Sequence, residues 1–419
     1  YLGLYIDSEG PSGVIKDLPP DETAYFRYLP MFYPFLLQKD PNTFVVQFGG
    51  GLSTAVALKS GSSKVTVAEG NPAILEAFRA DKGLRDFTGD ILNNPKVRVI
   101  DYDGRLYLAH TTNRYDIIDL SLADSAGLSS PGGFSIVEKY SYSREAMESY
   151  MRALSPGGIL SVTLWNKEEP PKSVLKLYAT MAAAARNVSG GTIANDFYVV
   201  SSYLSTATVL YKRGGFTPAE IEKLNAHTKA MSFDLIYAPG LKVDESELKQ
   251  ILQDYHDQFF FSGTPPDPTG PGAETEPNDK PPPGAPATDA KADGKTEVKD
   301  EAPPAPRVPA TVLGRLAWHY LVNGGWQKVA DEYVFDTRIL TNHQPYFAAY
   351  IKVKDLLNFT DRLELVQDEW GYLLLWATLG IAAVFAFTLV LFPLVFGWRT
   401  IFSRYPGKFG TMVYFLCLG

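Results

Sequence analysis

Strand-like and helix-like segments alternate along the chain from Thr43 to Tyr211, and this alternation constrains the fold more than any other feature. Short apolar runs predict buried strands at Thr43–Phe48, Lys64–Ala68, Val97–Ile100, Ile117–Leu120 and Ile159–Leu164. Helical patterns lie at Ser53–Lys59, Pro72–Arg79, Arg144–Leu154 and Pro171–Asn187. Such alternation predicts an α/β fold with a parallel sheet covered on both faces. Two further strand-like runs, Tyr198–Ser202 and Thr206–Tyr211, are expected to complete the sheet.

The composition restricts the kinds of partner that the chain can have. Of its 419 residues, 45% are hydrophobic, which is enough for a sizeable core, and the formal net charge is -8. A nucleic-acid-binding surface needs clustered Lys and Arg, so we expect no nucleic-acid partner. The only cysteine is Cys417, and the five histidines show no ligand spacing. We therefore expect neither an internal disulfide nor a metal site.

A glycine turn follows the first predicted strand. Gly49, Gly50 and Gly51 would let the backbone approach a bound nucleotide at the start of the next helix. Glu69 comes 20 residues after Gly49, at the tip of the second strand. An acid at this spacing can bind the two ribose hydroxyls, and the alternative is a charge that stabilises a helix N-terminus. The turn and the acid together favour nucleotide binding.

Acidic residues also follow the third and fourth predicted strands. Asp103, next to Gly104, could accept a hydrogen bond from an adenine amino group or cap a helix, with Asp101 as the spare candidate. Asp124 could hold a cationic amine and accept its proton, or form an Asx turn. Asp119 lies inside the apolar run, so we expect the sheet to bury it and assign the reacting role to Asp124.

The remaining chain divides by composition. A lead-in segment, residues 1–42, precedes the nucleotide-binding domain, which we expect to span 43–260. Residues 261–309 are rich in Pro, Gly, Ala, Thr, Asp and Lys and nearly free of large apolar side chains, so they predict a disordered linker. Residues 310–365 return to apolar patterns, with a helix at Val312–Val322, and are expected to pack back on the domain.

The apolar stretch from Trp370 to Trp398 contains no charged residue in 29 positions, more than the roughly 20 that span a bilayer. It predicts a transmembrane helix with interfacial aromatic residues at its ends. Residues 410–419 look like the start of a second such helix, so we interpret the chain as a fragment of a longer membrane protein. The basic loop between them argues for a soluble domain outside the cell, whereas a cytosolic nucleotide argues for the inside. The side of the membrane stays open.

Several motifs occur in a fixed order along the chain. They are Asp21-Glu22-Thr23-Ala24-Tyr25, the three glycines, Glu69, Asp103-Gly104, Tyr115-Asp116-Ile117-Ile118 and Ser155-Pro156-Gly157-Gly158-Ile159-Leu160. In this order they resemble the spermidine synthase (polyamine aminopropyltransferase) family. Two further segments, Phe216-Thr217-Pro218 with Phe233–Tyr237, and Thr341–Phe347, are similar to the bacterial branch in which such a domain is fused to transmembrane helices.

This resemblance implies a Rossmann-like fold of the class I S-adenosylmethionine-dependent methyltransferase type, a parallel sheet with a terminal antiparallel strand. It implies S-adenosylmethionine or its decarboxylated form as co-substrate, without a metal. The residues that would hold it are Gly49, Gly50, Gly51, Glu69, Asp103 and Gly104. Asp124 and Tyr25 would be the catalytic residues on the acceptor side. An integral protein of the bacterial cell membrane, in contact with the lipid bilayer, is expected, and a homodimer is one expected assembly.

Two departures from the family set the acceptor side apart. The family carries D-x-x-D after the fourth strand and uses the first acid as the base, but that position is Ser121 here. The family's Y-H-E is Tyr25-Phe26-Arg27, and Arg27 would repel a diamine. The expected function is transfer of an alkyl (aminopropyl) group to an unidentified small-molecule acceptor, an amine or another nucleophile. A methyltransferase and a non-catalytic membrane sensor or scaffold are the alternatives.

Overall fold

The structure, a computed structural model, describes residues 2–5, 12–19, 21–122, 137–166, 170–202, 206–260, 309–355 and 370–391, and the single residues 397, 410 and 414. An antiparallel hairpin near the N-terminus consists of β1 (Leu2–Leu4) and β2 (Ser12–Val14). An eight-stranded sheet forms the frame of the molecule. Its strands are β3 (Asn42–Val45), β4 (Lys64–Ala68), β5 (Val97–Ile100), β6 (Tyr115–Ser121), β7 (Leu154–Trp165), β8 (Phe197–Ser202), β9 (Thr206–Lys212) and β10 (Asp234–Tyr237).

The strand order across the sheet is β10-β8-β9-β7-β6-β3-β4-β5. The five strands from β7 to β5 run parallel. Strand β10 is antiparallel at the edge, as the terminal strand was expected to be. Strand β9 is also antiparallel and lies inside the sheet, between β7 and β8, because β8 and β9 are joined by only three residues and must pair as a hairpin. The predicted α/β fold with a mostly parallel sheet is confirmed.

Side chains that alternate along the central strands build a core on each face of the sheet. Phe44 belongs to one buried cluster and Val45 to the other, and Val46 returns to the first. Successive residues of a strand point to opposite faces, so both faces of β3 are covered by helices. This is why the central strands read as nearly continuous apolar runs in the sequence.

Helices cover the sheet and connect its parallel strands. They are α1 (Leu52–Lys59), α2 (Pro72–Ala80), α3 (Lys82–Thr88), α4 (Gly104–His110), α5 (Arg144–Ala153), α6 (Ser173–Ser189), α7 (Pro218–Ala230), α8 (Leu248–Phe260), α9 (Pro309–Asn323), α10 (Trp326–Glu332) and α11 (Trp370–Ala386). Several begin at side chains that accept a hydrogen bond from the first turn: Asn71 for α2, Asp81 for α3, Asp103 for α4, Ser143 for α5 and Thr217 for α7.

The segment after the predicted linker contributes to the core. Trp318 of α9 is fully buried, and its ring centroid lies 4.7 Å from that of Phe197 and 5.3 Å from those of Tyr178 and Tyr237. Helix α9 thus packs against α6 and the β8–β10 part of the sheet. Residues 261–308 of the predicted linker lie outside the described residues.

The stretch after α10 differs from its sequence pattern. Residues 334–359 carry a strand-like and helical apolar pattern, whereas the described part, residues 334–355, contains a 3-10 turn at Val353–Asp355 and two isolated bridges, Thr341 to Gln344 and Tyr346 to Glu138. Single backbone contacts hold this stretch, such as Arg144 N–H to the Leu340 carbonyl at 2.8 Å and Asp336 N–H to the Tyr350 carbonyl at 2.6 Å. Its apolar residues are buried without a regular element, because neighbouring helices supply their contacts.

The C-terminal apolar stretch is described as α11 followed by a π-helical turn, Phe387–Leu391. In the part of the chain that the structure describes, no helix meets both the length and the hydropathy needed to cross a membrane. Residues 392–396 and 398 of the predicted span lie outside the described residues, as does most of the predicted second helix.

Candidate functional site

Glu69 ties the glycine turn to the end of strand β4. Its Oε2 accepts a hydrogen bond from Gly49 N–H at 3.1 Å, and its Oε1 accepts one from Asn71 N–H at 2.9 Å. Only 2% of the residue is exposed. A carboxylate offers about four acceptor positions, so roughly two remain for outside donors such as a pair of hydroxyls. The glycine turn and Glu69, which the sequence places together, are therefore in direct contact through a hydrogen bond. The Glu69 carboxylate can still accept hydrogen bonds from a ligand.

The three glycines of the turn meet different surroundings. No atom lies within 4 Å of the position that a Cβ would take at Gly49. At Gly50 a Cβ would lie 2.0 Å from the Gly13 carbonyl oxygen, and Ile15 N–H donates to the Gly50 carbonyl at 3.0 Å. Gly51 has a φ of 85° at the start of α1. Gly50 is thus required for the N-terminal hairpin to pack on the turn, and the open position is Gly49.

Asp103 and Gly104 bring the end of β5 next to the same edge. Asp103 Oδ1 caps α4 by accepting a hydrogen bond from Leu106 N–H at 2.9 Å, while 43% of its side chain is exposed. A Cβ at Gly104 would lie 2.2 Å from the Val46 carbonyl oxygen, so only glycine lets α4 start this close to β3. A Cβ at Gly70 would lie 3.5 Å from Asp103 Cα, which makes the loops after β4 and β5 neighbours.

A second carboxylate, that of Asp119, lies on β6, which pairs with β3 on the side opposite to β4. Asp119 is 5% exposed within β6, paired in register with Val45 of β3 and Ser161 of β7. Ser121 Oγ donates a hydrogen bond to Asp119 Oδ1 at 2.7 Å. Among the described residues, Asp119 Oδ2 has no hydrogen-bond partner. The expected burial of Asp119 is observed, but its contact with Ser121 was not expected from the sequence.

Burial raises the pKa of Asp119 to about 6, against an opposing effect of nearby Ser53, Ser121 and Ser161 hydroxyls. A desolvated carboxylate without a cationic partner disfavours its charged form. Acids are depleted in buried strands, so a lone Asp in the apolar run of β6 is the sequence signal that could have identified this group. The family motif points instead to positions 121 and 124.

The predicted acceptor-side residues are placed less completely. Tyr25 lies in a 3-10 helix, Thr23–Tyr28, with 51% of it exposed and its ring packed against Phe26 at 5.8 Å. In the same 3-10 helix, the exposed Arg27 has its backbone against the imidazole of His227, whose pKa is lowered mainly by burial. Asp124 lies outside the described residues.

Two other features bear on the site. A cavity of about 480 Å³ is lined by the lead-in segment, α1 and the residues just before β5, with Lys59 and Lys96 among them. Neither Glu69 nor Asp103 lines it. Within the described ranges, no cluster of three or more His, Cys, Asp or Glu could hold a metal ion.

Comparison with known proteins finds curated relatives for about half of the chain. No protein-family model matches the chain. It is 27% identical over 202 residues to polyamine aminopropyltransferase 1 of Streptomyces coelicolor, covering 47% of this chain and 35% of that one. It is 26% identical over 189 residues to the polyamine aminopropyltransferase of Mycobacterium tuberculosis, covering 45% of this chain and 34% of that one. The match therefore spans about one third of the length of these curated relatives.

Among solved structures, the chain is similar to a spermidine synthase in complex with the transition-state analogue AdoDATO. The identity is 17% and the TM-score 0.33, over 52% of this chain and 70% of that one.

Proposed function

We propose that the chain belongs to the spermidine-synthase-like family, binds S-adenosylmethionine or its decarboxylated form, and transfers an alkyl group to a small-molecule acceptor. One observation carries the proposal. The ends of β3, β4 and β5 meet at one edge of the sheet, where the open side of Gly49, the carboxylate of Glu69 and the half-exposed Asp103 lie together. Ligands of open α/β sheets bind at this edge.

The donor side fits an adenosyl group by the chemistry of its residues. The spare acceptor positions of Glu69 suit the two ribose hydroxyls, and the exposed side of the Asp103 carboxylate suits an adenine amino group. A bound sulfonium donor supplies an activated carbon and a neutral thioether leaving group. The protein then contributes mainly position: Glu69 and the glycine turn fix the donor so that an acceptor reaches the carbon in line.

The acceptor side supports a changed substrate. Ser121 stands where the family has its base, and Arg27 adds a positive charge near Tyr25. We propose that Tyr25 and Asp124 bind the acceptor, which is an amine or another nucleophile with less positive charge than a diamine. The aminopropyl transfer of the relatives is one outcome of this reaction type and methyl transfer is the other.

Calorimetry on the full chain in detergent tests the donor site. We expect S-adenosylmethionine, decarboxylated S-adenosylmethionine or methylthioadenosine to bind, and Glu69→Gln to weaken binding by about 10- to 100-fold, since each lost charge-assisted hydrogen bond is worth about 1.5–3 kcal/mol. Glu76→Gln on the exposed face of α2 is the matched control and should bind as the parent does. Absence of binding for all three ligands would contradict the proposal.

Product analysis then separates the reaction classes. The chain is incubated with each donor and a panel of monoamines, diamines and polyamines, and the products are resolved by mass. An added aminopropyl group identifies an aminopropyltransferase, and an added methyl group identifies a methyltransferase. Donor binding without turnover on the whole panel would favour the sensor or scaffold alternative.

We further propose that α11 lies in a lipid bilayer. It carries no charged residue, and Leu374, Leu379, Val384 and Phe385 are each more than half exposed. Exposed apolar side chains of this number suit lipid better than water. The chain should sediment with membranes and resist alkaline carbonate, whereas Leu379→Lys with Val384→Lys should release it. Retention of the double variant would contradict the proposal.

A further inference from the structure

The hydroxyls of three strands form a row beside the buried Asp119. Ser121 of β6, Thr163 of β7 and Thr208 of β9 are register partners, so their side chains share one rung of the sheet. Ser121 Oγ lies 3.1 Å from Thr163 Oγ1, and Thr163 Oγ1 lies 2.8 Å from Thr208 Oγ1. Asp119 precedes Ser121 by two residues and therefore shares its face of β6.

Because each hydroxyl has a single proton, the donor in each hydrogen bond of this row can be assigned. A hydroxyl has one proton, and Ser121 gives its proton to Asp119 at 2.7 Å. Thr163 must then donate to Ser121, and Thr208 to Thr163. Ser121 Oγ keeps one lone pair, and Ser121 is less buried than Asp119 because it ends the strand at the carboxyl edge of the sheet. Ser121 Oγ can thus accept one hydrogen bond from a ligand at the edge of the sheet, and the buried Asp119 carboxylate lies next to it.

The described neighbours of Asp119 include no group that would pair with its negative charge. The polar groups that face it are hydroxyls: Ser53 from α1, Ser121 from its own strand and Ser161 from β7. From β3 its register partner is Val45. No titratable side chain is among these neighbours, and Oδ2 has no partner in the described part of the chain. An unpaired buried carboxylate is costly in a structural role, which favours a role in proton exchange.

We propose that Asp119 is the proton acceptor of the transfer reaction and works through Ser121, which touches the acceptor. This inference rests on the proposed function. The acceptor N–H proton passes to Ser121 Oγ while the Ser121 proton passes to Asp119 Oδ1. The nitrogen lone pair forms the new N–C bond, the C–S bond breaks, and its electron pair stays on sulfur as a neutral thioether. The carboxylate becomes a carboxylic acid and the serine is restored.

The backbone after Ser121 supports this placement. Leu122 has a φ of 48°, which is strained for a bulky residue, and its N–H donates to the Thr163 carbonyl at 3.0 Å. This hydrogen bond continues the contact between β6 and β7 past Ser121 and holds Ser121 at the end of the strand. Strain of this kind persists where the surrounding structure fixes it and is concentrated at functional sites.

The kinetic test uses the full chain with decarboxylated S-adenosylmethionine and the amine panel from pH 5 to 9. Parent kcat/KM should fall as the pH drops through about 6. Asp119→Asn keeps the hydrogen bond from Ser121 but cannot take a proton, so kcat should fall about 10²-fold or more and this acid limb should disappear. Asp86→Asn, an exposed acid on α3, is the control and should leave the rate and the profile unchanged.

Rescue separates a proton acceptor from a structural residue. Adding Ser121→Asp to Asp119→Asn moves the carboxylate two positions along the same face, and we expect at least a tenfold recovery of kcat and the return of an acid limb. Asp119→Asn with the parent rate and pH profile would overturn the inference.

Donor binding and proton titration keep this result distinct from failure of the proposed function. Asp119→Asn should bind the donor as the parent does, so loss of donor binding by the parent itself would refute only the proposed function. Difference infrared spectra, parent minus Asp119→Asn, should show a carboxylic-acid band that disappears as the pH rises through about 6 and that moves in Ser121→Ala. A band that does not change with pH, or that does not move in Ser121→Ala, would overturn the inference. This test does not require turnover.

Discussion

The ends of β4 and β6 each carry a buried carboxylate, one on either side of β3, but the two groups are held differently. Glu69 after β4 receives backbone N–H groups on both oxygens, whereas Asp119 in β6 receives one serine hydroxyl on Oδ1. Two backbone donors hold the Glu69 carboxylate in one position. A single hydroxyl leaves the other carboxylate free to change its protonation. The comparison separates a group suited to holding a ligand from a group suited to exchanging a proton.

The largest expected effect concerns the end of β3, the strand that lies between β4 and β6. Gly104→Ala would place a Cβ 2.2 Å from the carbonyl oxygen of Val46, the residue after β3, and backbone must move to relieve the contact. We expect a loss of about 2–4 kcal/mol in the free energy of unfolding, typical of overpacking against backbone. Urea unfolding measures it. Gly191→Ala, where no atom lies near the added Cβ, is the control, and equal stabilities would show that α4 does not depend on this approach.

The next effect is the pH dependence that Asp119 adds to stability. Its folded-state pKa, about 6, lies above the ordinary 3.8, so its contribution is complete below pH 3.8 and is lost as the pH rises through 6. Relative to Asp119→Asn, the parent should lose up to about 3 kcal/mol between pH 4 and pH 8. Unfolding curves of both proteins across this range measure the difference. A constant difference would mean that Asp119 does not titrate there.

Glu69→Gln tests the carboxylate whose two oxygens both accept backbone hydrogen bonds. The amide turns one oxygen into an N–H₂ group, which faces a backbone N–H and leaves it unpaired. We expect a cost of about 1–3 kcal/mol in unfolding free energy, the price of one buried donor without a partner. Melting temperatures of Glu69→Gln and of the exposed Glu76→Gln measure it. Equal melting temperatures would show that the turn does not rely on Glu69.

The smallest effect concerns the cap of α4. Asp103→Ala removes the acceptor for Leu106 N–H and should cost about 1 kcal/mol, while Asp103→Asn keeps a capping oxygen and should cost a few tenths. Donor binding distinguishes the second role, since Asp103→Asn replaces one carboxylate oxygen with an amide nitrogen. Weaker binding of the donor by Asp103→Asn at nearly unchanged stability would assign the exposed side of Asp103 to the ligand. Unchanged binding would leave it as a cap alone.

The sequence predicted much of the fold because its signals are local. Strand β4 was predicted at the residues where it is observed, and β3 to β7 appear in the predicted order, since apolar runs and turn residues act over a few positions. Strand β9 was predicted at Thr206–Tyr211, but its position inside the sheet was not, because the choice of pairing partner is made between residues far apart in the chain. The irregular stretch after α10 was missed for the same reason.

The candidate site was predictable in part. The 20-residue spacing of Gly49 and Glu69 predicted two groups at one edge, and the structure joins them by a hydrogen bond. Gly50 was assigned to a ligand, but its space is taken by Gly13, which no local pattern indicates. Asp103 could be a cap or a ligand group from the sequence, and the cap is observed while its exposed side leaves the second role open.

The sequence by itself determined where strands β3 to β9 lie, that both sheet faces are buried, and that acids follow the strands, because residue period and composition are properties of short segments. Only the tertiary structure decided what those acids meet. Glu69 meets the Gly49 amide because β3 and β4 are neighbours in register, and Asp119 is buried in the sheet beside Ser53 of α1 and Ser161 of β7. The environment that separates their roles, solvation and hydrogen-bond partners, exists only once distant strands pack together.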